Sequence, residues 1–393
     1  SDGVENENPA LKGVTSNNSV EATAVYRENV ISNVEGIISK DGNEVNLKDY
    51  TKLNEGDVIL VNLGNTSVAK KVTKVINGNL VEVETAEMDA VYEKLEINES
   101  VDLTEENLEK DSLPAGVSLE TVENYSQAAG AIFEMPNVDS ETSEEGLRYS
   151  IKNWVIADAS SDAGKIHVEG NATVLLKKPT IDVDFSWWHQ SLNVVVNTGD
   201  TAKITFDGNM DYAALINRKI DLGTYVIPIN VAGIPTGTIS MRLSMDVSIN
   251  GKVDLHAEAT QNVDMKFGVD GKLKDLKNVE FIHELTVPEG EDYFGYELDT
   301  NGNVETAASV SPYISVTILQ YNVVETTAEF GIEAKAKGNL DISGNEGDLF
   351  GGTGSYDLLV RPYAWVDVKV MKEENQRVFD WEYVVNKSGE FTK

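Results

Sequence analysis

The chain has 393 residues, no cysteine, and 66 acidic against 32 basic residues, for a formal net charge of −34. The length admits two or three domains around a large core, and the missing cysteine excludes disulfides, thiolate zinc sites and cysteine nucleophiles. The charge argues against nucleic acid and anionic membranes as partners, because phosphate binding needs clustered Lys and Arg; no apolar run approaches the ~18 residues of a membrane helix.

The chain begins Ser1-Asp2-Gly3 without a methionine. This predicts a processed start from which a signal peptide has been removed, and hence an extracellular or cell-surface location. Residues 1–19 are polar, carry Pro9 and show no periodicity, so they read as an extended N-terminal tail.

Residues 20–97 read as a small β-barrel or sandwich domain. Val58-Ile59-Leu60-Val61 is a short apolar run suited to a strand buried on both faces. Asp41-Gly42-Asn43 and Asn77-Gly78-Asn79 supply turns. Glu87 to Leu95 predicts a short helix with Met88, Val91, Tyr92 and Leu95 on one side. Residues 98–147 are acidic and poorer in strand formers. They read as a connector with short helices, one capped by Thr104 and broken at Leu113-Pro114-Ala115-Gly116.

Residues 148–393 read as one large antiparallel β domain with unusually long strands. Ile181, Val183, Phe185 and Trp187 alternate with polar residues. Val194 and Val196 lead through a five-residue loop, Asn197 to Thr201, into Ala202, Ile204 and Phe206. Pro228 and Pro235 mark an edge or a connection. Between Ile239 and Leu273 apolar residues fall on every second position over 239–249, again over 253–259 and again over 263–269, the mark of a strand with one buried face. Asn250-Gly251 within it predicts a hairpin. A three-residue loop with Gly251 at positive φ would pair Val247 with Val253 and keep charges off the apolar face. Asp207-Gly208 and Asp270-Gly271 obey the same parity. Asp299 to Glu305 reads as a β-turn; it lacks the glycine and glutamate of a calcium loop. Ser343 to Ser355 reads as a Gly-rich loop, without the lysine of a phosphate loop. The fold class is therefore all-β with minor helix: a small N-terminal β domain, then a large long-stranded sandwich or barrel-like domain.

Catalytic signatures are missing. His167, His189, His256 and His283 form no HExxH or HxH pair, and no nucleophile elbow stands in a strand-to-helix context. The expectation is a non-enzymatic protein without a cofactor. The acidic surface admits a divalent cation such as calcium. Trp188, with His189 beside it, is the candidate contact for a glycan or a protein partner; the competing reading is that the strand has ended and both Trp187 and Trp188 cover the core edge.

The leading expectation is a self-assembling structural subunit of a bacterial surface fibre or layer, whose partners are further copies of itself. Val20, Val25, Val30, Ile31 and Val34 form the candidate donor segment, able to add a strand to a neighbour's sheet edge. Two alternatives stand beside it. A secreted β-pore-former would use amphipathic hairpins such as 239–273, although aromatic residues amount to only 7%. A carbohydrate-binding adhesin would use Trp188.

Overall fold

A computed structural model describes residues 19–49, 52–109, 117–123, 129–132, 137–143, 146–275, 278–286, 294–345 and 349–390. The tail expected over 1–19 lies outside them except for Ser19, as does the breaker at Leu113–Gly116.

The fold is all-β, with a small sheet near the N-terminus and a large barrel-containing sheet. Six short strands form the small sheet: β2 (Val30–Val34), β3 (Gly36–Ile38), β4 (Glu44–Leu47), β5 (Val58–Asn62), β6 (Ser67–Val75) and β7 (Leu80–Thr85), in the order β2-β5-β6-β7-β4-β3. All four residues of the Val58–Val61 run are buried. Alternation explains why: Ile59 and Val61 enter the core of the small sheet, while Val58 and Leu60 pack into the main core. The segment expected to be helical gives one turn, α1 (Met88–Val91), before the chain becomes strand at Tyr92. Met88, Val91, Tyr92 and Leu95 are nonetheless all buried, at 2% exposure or less.

The large sheet takes β1 (Val20–Tyr26), β8 (Tyr92–Asp102), β9 (Val117–Glu123), β10 (Ala129–Ile132), β11 (Asn137–Ser143), β12 (Gly146–Ser161), β13 (Gly164–Lys177), β14 (Thr180–Ser186), β15 (Ser191–Met210), β16 (Ala214–Val231), β17 (Ile234–Lys272), β18 (Glu280–Thr286), β19 (Phe294–Ile318), β20 (Tyr321–Lys337), β21 (Asn339–Asn345), β22 (Leu349–Val370), β23 (Gln376–Glu382) and β24 (Val385–Glu390). From β12 onward it is a meander. β15 and β16 together form one arm of a hairpin whose other arm is the 39-residue β17.

Six strands close a hydrogen-bonded ring: β1, β8, β14, β15, β17 and β16. The pairs Ile234↔Val231, Val231↔Ala22, Ala24↔Leu95, Ile97↔Phe185, Phe185↔Leu192 and Leu192↔Gly271 lead around it. Six spacings of about 4.8 Å and two two-residue steps along strands total roughly 42 Å, whereas β17 traced from Ile234 to Gly271 has a contour of roughly 120 Å at about 3.3 Å per residue. β17 therefore cannot run straight; it coils, as twisted sheets do. Coiling turns its alternating apolar face inward along its length. Met241, Leu243, Met245 and Val247 are at most 2% exposed, Arg242 is exposed and Asp246 half-buried.

The expected hairpin at Gly251 does not form. Gly251 is paired on both sides, with Ala214 and with Val304, and Val247 faces Arg218 and Ala308 instead of Val253. The reason is geometric: an odd-length loop and an uninterrupted strand preserve the same side-chain parity, so alternation could not tell them apart. The irregularity lies on the neighbouring strand, where Met210–Ala213 bulge opposite Lys252 and Val253. Asp207-Gly208 likewise lies inside β15, and β17 runs on past Asp270-Gly271 to Lys272. Asn197–Thr201 is strand, not loop, and Asp299–Glu305 is strand within β19, not a turn. Of the expected Gly-rich loop, Ser343–Asn345 end β21 and Leu349–Ser355 begin β22, with Gly351, Gly352 and Gly354 paired to Ser343, Ile342 and Leu340. Two of the true reversals fall at Ala232-Gly233, both at positive φ between the paired Val231 and Ile234, and at Leu319-Gln320.

Gly251 is held to glycine by crowding, not by φ. A Cβ there would lie 2.5 Å from the Asn303 carbonyl oxygen and 3.2 Å from the Cα of Val304. Gly251→Ala is therefore expected to cost about 1–3 kcal/mol in denaturant unfolding, as overpacking does. A neutral result would show that β17 and β19 do not approach so closely there.

Candidate functional site

Three places gather the side chains with functional potential. The first is the seam where the ring closes. β1 lies between β16, which it meets in parallel at Val20–Ala22, and β8, which it meets antiparallel at Thr23–Tyr26. Among the described residues, this is the only parallel pairing in the large sheet. Val20 and Ala22 are buried, whereas Glu21, Thr23 and Val25 face outward, Val25 at 46% exposure. Val30, Ile31 and Val34 belong to another strand, β2, and pair in parallel with Val58, Ile59 and Val61 of β5. The donor segment is thus split between two sheets at the turn Arg27–Asn29, where Val30 N donates to Arg27 O and Arg27 N donates to Val91 O, both at 3.0 Å. Tyr26 and Tyr92 stack at the neck, with ring centroids 5.5 Å apart. The small sheet is consequently an excursion between two antiparallel neighbours. It docks on the tips of the meander through Gln320, which bridges the Ala69 and Ala86 backbones, and through the Tyr321 hydroxyl, which donates to Ala86 O at 2.7 Å.

The second place is the turn Trp187–Gln190 between β14 and β15. The strand ends at Ser186, and the two rings part company. Trp187 packs toward Phe185 at the core edge. Trp188 is 53% exposed, with the Lys94 ammonium 4.8 Å from its ring centroid. His189 accepts or donates a hydrogen bond with Ser186 Oγ at 3.1 Å and stands 3.9 Å from Glu96. The turn offers one aromatic face beside a cation.

The third place was missed by sequence reasoning, because Asn197–Thr201 read as a loop. As strand, it pairs Gly199 with Asp264 of β17 and brings it against the Lys177 side chain of β13. Lys177 crosses β15 over this glycine and donates from Nζ to Asn262 Oδ1 at 2.7 Å and to Asp264 Oδ1 at 3.0 Å. A Cβ on Gly199 would lie 2.8 Å from Lys177 Cδ and 2.6 Å from Asp264 Oδ1. A groove of about 990 Å³ opens around this crossing. On the opposite face, Asp200 occupies a position of the stripe Val194, Val196, Ala202, Ile204 and is 1% exposed. Burial pushes its carboxyl up to about 7, only partly offset by Lys177. Gln261 Nε2 donates to Oδ2 at 3.3 Å, and Oδ1 has no hydrogen-bond partner among the described residues.

Further along the same polar face, Glu169, Asp207, His256, Asp299 and Asp341 stand in one cross-strand row. The Asp207 carboxylate, 2.6 Å from His256 Nδ1, holds that imidazole protonated above its ordinary range, with Glu297 and Glu258 adding to the effect. Among the described residues, no group of three or more His, Asp or Glu side chains is arranged to hold a metal ion.

No family model matches the chain, and neither does any curated protein or any solved structure.

Proposed function

We propose that the protein is a non-enzymatic structural subunit of a bacterial surface fibre or layer, and that copies join by exchange of the N-terminal strand. The observation that carries this reading is the ring closure. The strand completing the barrel is the first strand of the described chain, held in parallel on one side and by four pairs on the other. Such a strand makes the same main-chain hydrogen bonds whether it comes from its own copy or from the next. Withdrawing it bares the edges of β8 and β16 and uncovers the core positions over Val20 and Ala22. A contact of this head-to-tail kind propagates into an open filament. Short outer strands also suit assembly: β23 and β24 both pair with β22, and Tyr383 and Val384 between them are exposed.

Deleting residues 1–26 tests this. The truncated chain is expected to lose high-mass species in light scattering and to regain barrel closure when a synthetic peptide of residues 1–26 is added in trans. A truncated protein that assembles like the intact one would contradict the reading.

The carbohydrate-binding alternative draws support from Trp188, whose exposed face could stack on a sugar ring. The pore-forming alternative has less support. The strand faces that a membrane barrel would turn toward lipid are the ones buried here.

A further inference from the structure

We propose that the groove over Gly199 is a binding site for a carboxylated polysaccharide. Its walls hold four cations, Arg148, Lys177, Lys178 and Lys203, in a chain whose net charge is −34. Strand register brings Arg148, Lys177 and Lys203 together, and Lys178 follows in the connection after β13. Arg148, Leu175, Thr201 and Asn262 form one row across β12, β13, β15 and β17. Thr173, Lys203, Thr260, Gly295 and Asn345 form the adjacent row across β13, β15, β17, β19 and β21. Four inter-strand spacings make the longer row roughly 19 Å, and the two rows lie roughly 7 Å apart.

Between the cations the lining is hydroxyl and amide: Thr173, Thr201, Thr260 and Asn262 stand on the same face. Leu175, Ala202 and Phe294 add apolar surface of the kind a sugar ring face packs against. Threonine hydroxyls and amide groups both donate and accept, as sugar hydroxyls do. Arg and Lys supply the charge-assisted bonds a carboxylate takes. Two cations are already placed by internal carboxylates, Lys177 by Asp264 and Lys203 by Glu258, each at 3.0 Å. An ammonium has three donors, so each keeps hydrogen-bonding capacity toward the groove while its position is fixed. Lys177 owes its placement to Gly199. The overall negative charge does not forbid the site, because exposed charges beyond a Debye length of about 8 Å are screened at physiological salt. It does imply that any polyanion retained by this protein is held locally.

The test is affinity electrophoresis of the full chain through gels containing polygalacturonate, dextran or polyglutamate, at low and at physiological salt. Polygalacturonate is expected to retard the protein, more strongly at low salt, and the other two are not. K178Q/K203Q is expected to weaken retardation about tenfold or more, for two charge-assisted bonds lost. Because G199A removes no charge, its weakening of retardation would tie the site to the Lys177 crossing; the surface pair K178Q/K203Q keeps the test decisive if G199A unfolds. No retardation by polygalacturonate would overturn the proposal. So would equal retardation by polyglutamate, which would make the groove an acidic-peptide site, equal retardation by dextran, or full retardation of K178Q/K203Q.

Discussion

Asp200→Asn is expected to stabilise the protein at pH 8 by on the order of 4 kcal/mol and to leave it nearly unchanged at pH 4. Asp200 is buried on the apolar face of β15, and its folded carboxyl is pushed up to about 7 from an ordinary value of 3.8. Each unit is worth about 1.36 kcal/mol. The sign follows from linkage. The folded state holds this proton more tightly than the unfolded state, so folding is favoured while the group is protonated. The advantage is complete below the unfolded value, declines as pH rises from about 4, and is gone above about 7. Asparagine imitates the neutral acid at every pH and removes the decline. Urea unfolding of both proteins across this range is the measurement. Parallel pH profiles for the two would mean that Asp200 reaches water.

Leu243→Ala is expected to cost about 2–5 kcal/mol. Leu243 has 0% exposure at the middle of the buried stripe of β17, between Met241 and Met245. Its cross-strand partners are Gly223 and Pro312. Glycine has no side chain to move into the void, and proline's ring is too stiff to do so, which places the cost toward the upper end. The denaturation midpoint should fall with the m-value unchanged. A loss below about 1 kcal/mol would show that the stripe is not packed as a core in the isolated chain, and would favour an assembly or membrane face.

What could be read from the sequence was periodicity. Alternation along Ile239–Val269 gave the strands and their buried face, and Val58–Val61 gave a strand buried on both sides. Turns were read poorly, for a physical reason. Asn-Gly and Asp-Gly pairs are strong hairpin signals when the chain is free to reverse, but here Asp207-Gly208 and Asn250-Gly251 sit between two partner strands each. The glycines serve close backbone approach instead. The actual reversal at Ala232-Gly233 has a non-glycine residue at φ 49°, which composition does not announce. The groove stayed hidden because a site made by cross-strand rows exists only once register is known. Lys177, Gly199 and Asp264 are dispersed in sequence and adjacent only in the sheet. Asp200 left a trace: an acid on an otherwise apolar stripe from Val194 to Phe206.

The most direct test of strand exchange is to lock β1 to its own barrel. Thr23 and Glu96 are paired neighbours on the outer face of β1 and β8, and the chain has no cysteine of its own. Thr23→Cys with Glu96→Cys therefore offers one disulfide and no competitor. Under oxidising conditions the locked protein is expected to remain a monomer by light scattering and to show no filaments by electron microscopy. On reduction it is expected to assemble as the unmodified chain does. Filaments formed equally well with the disulfide closed, or an unmodified chain that stays monomeric at high concentration, would contradict the account.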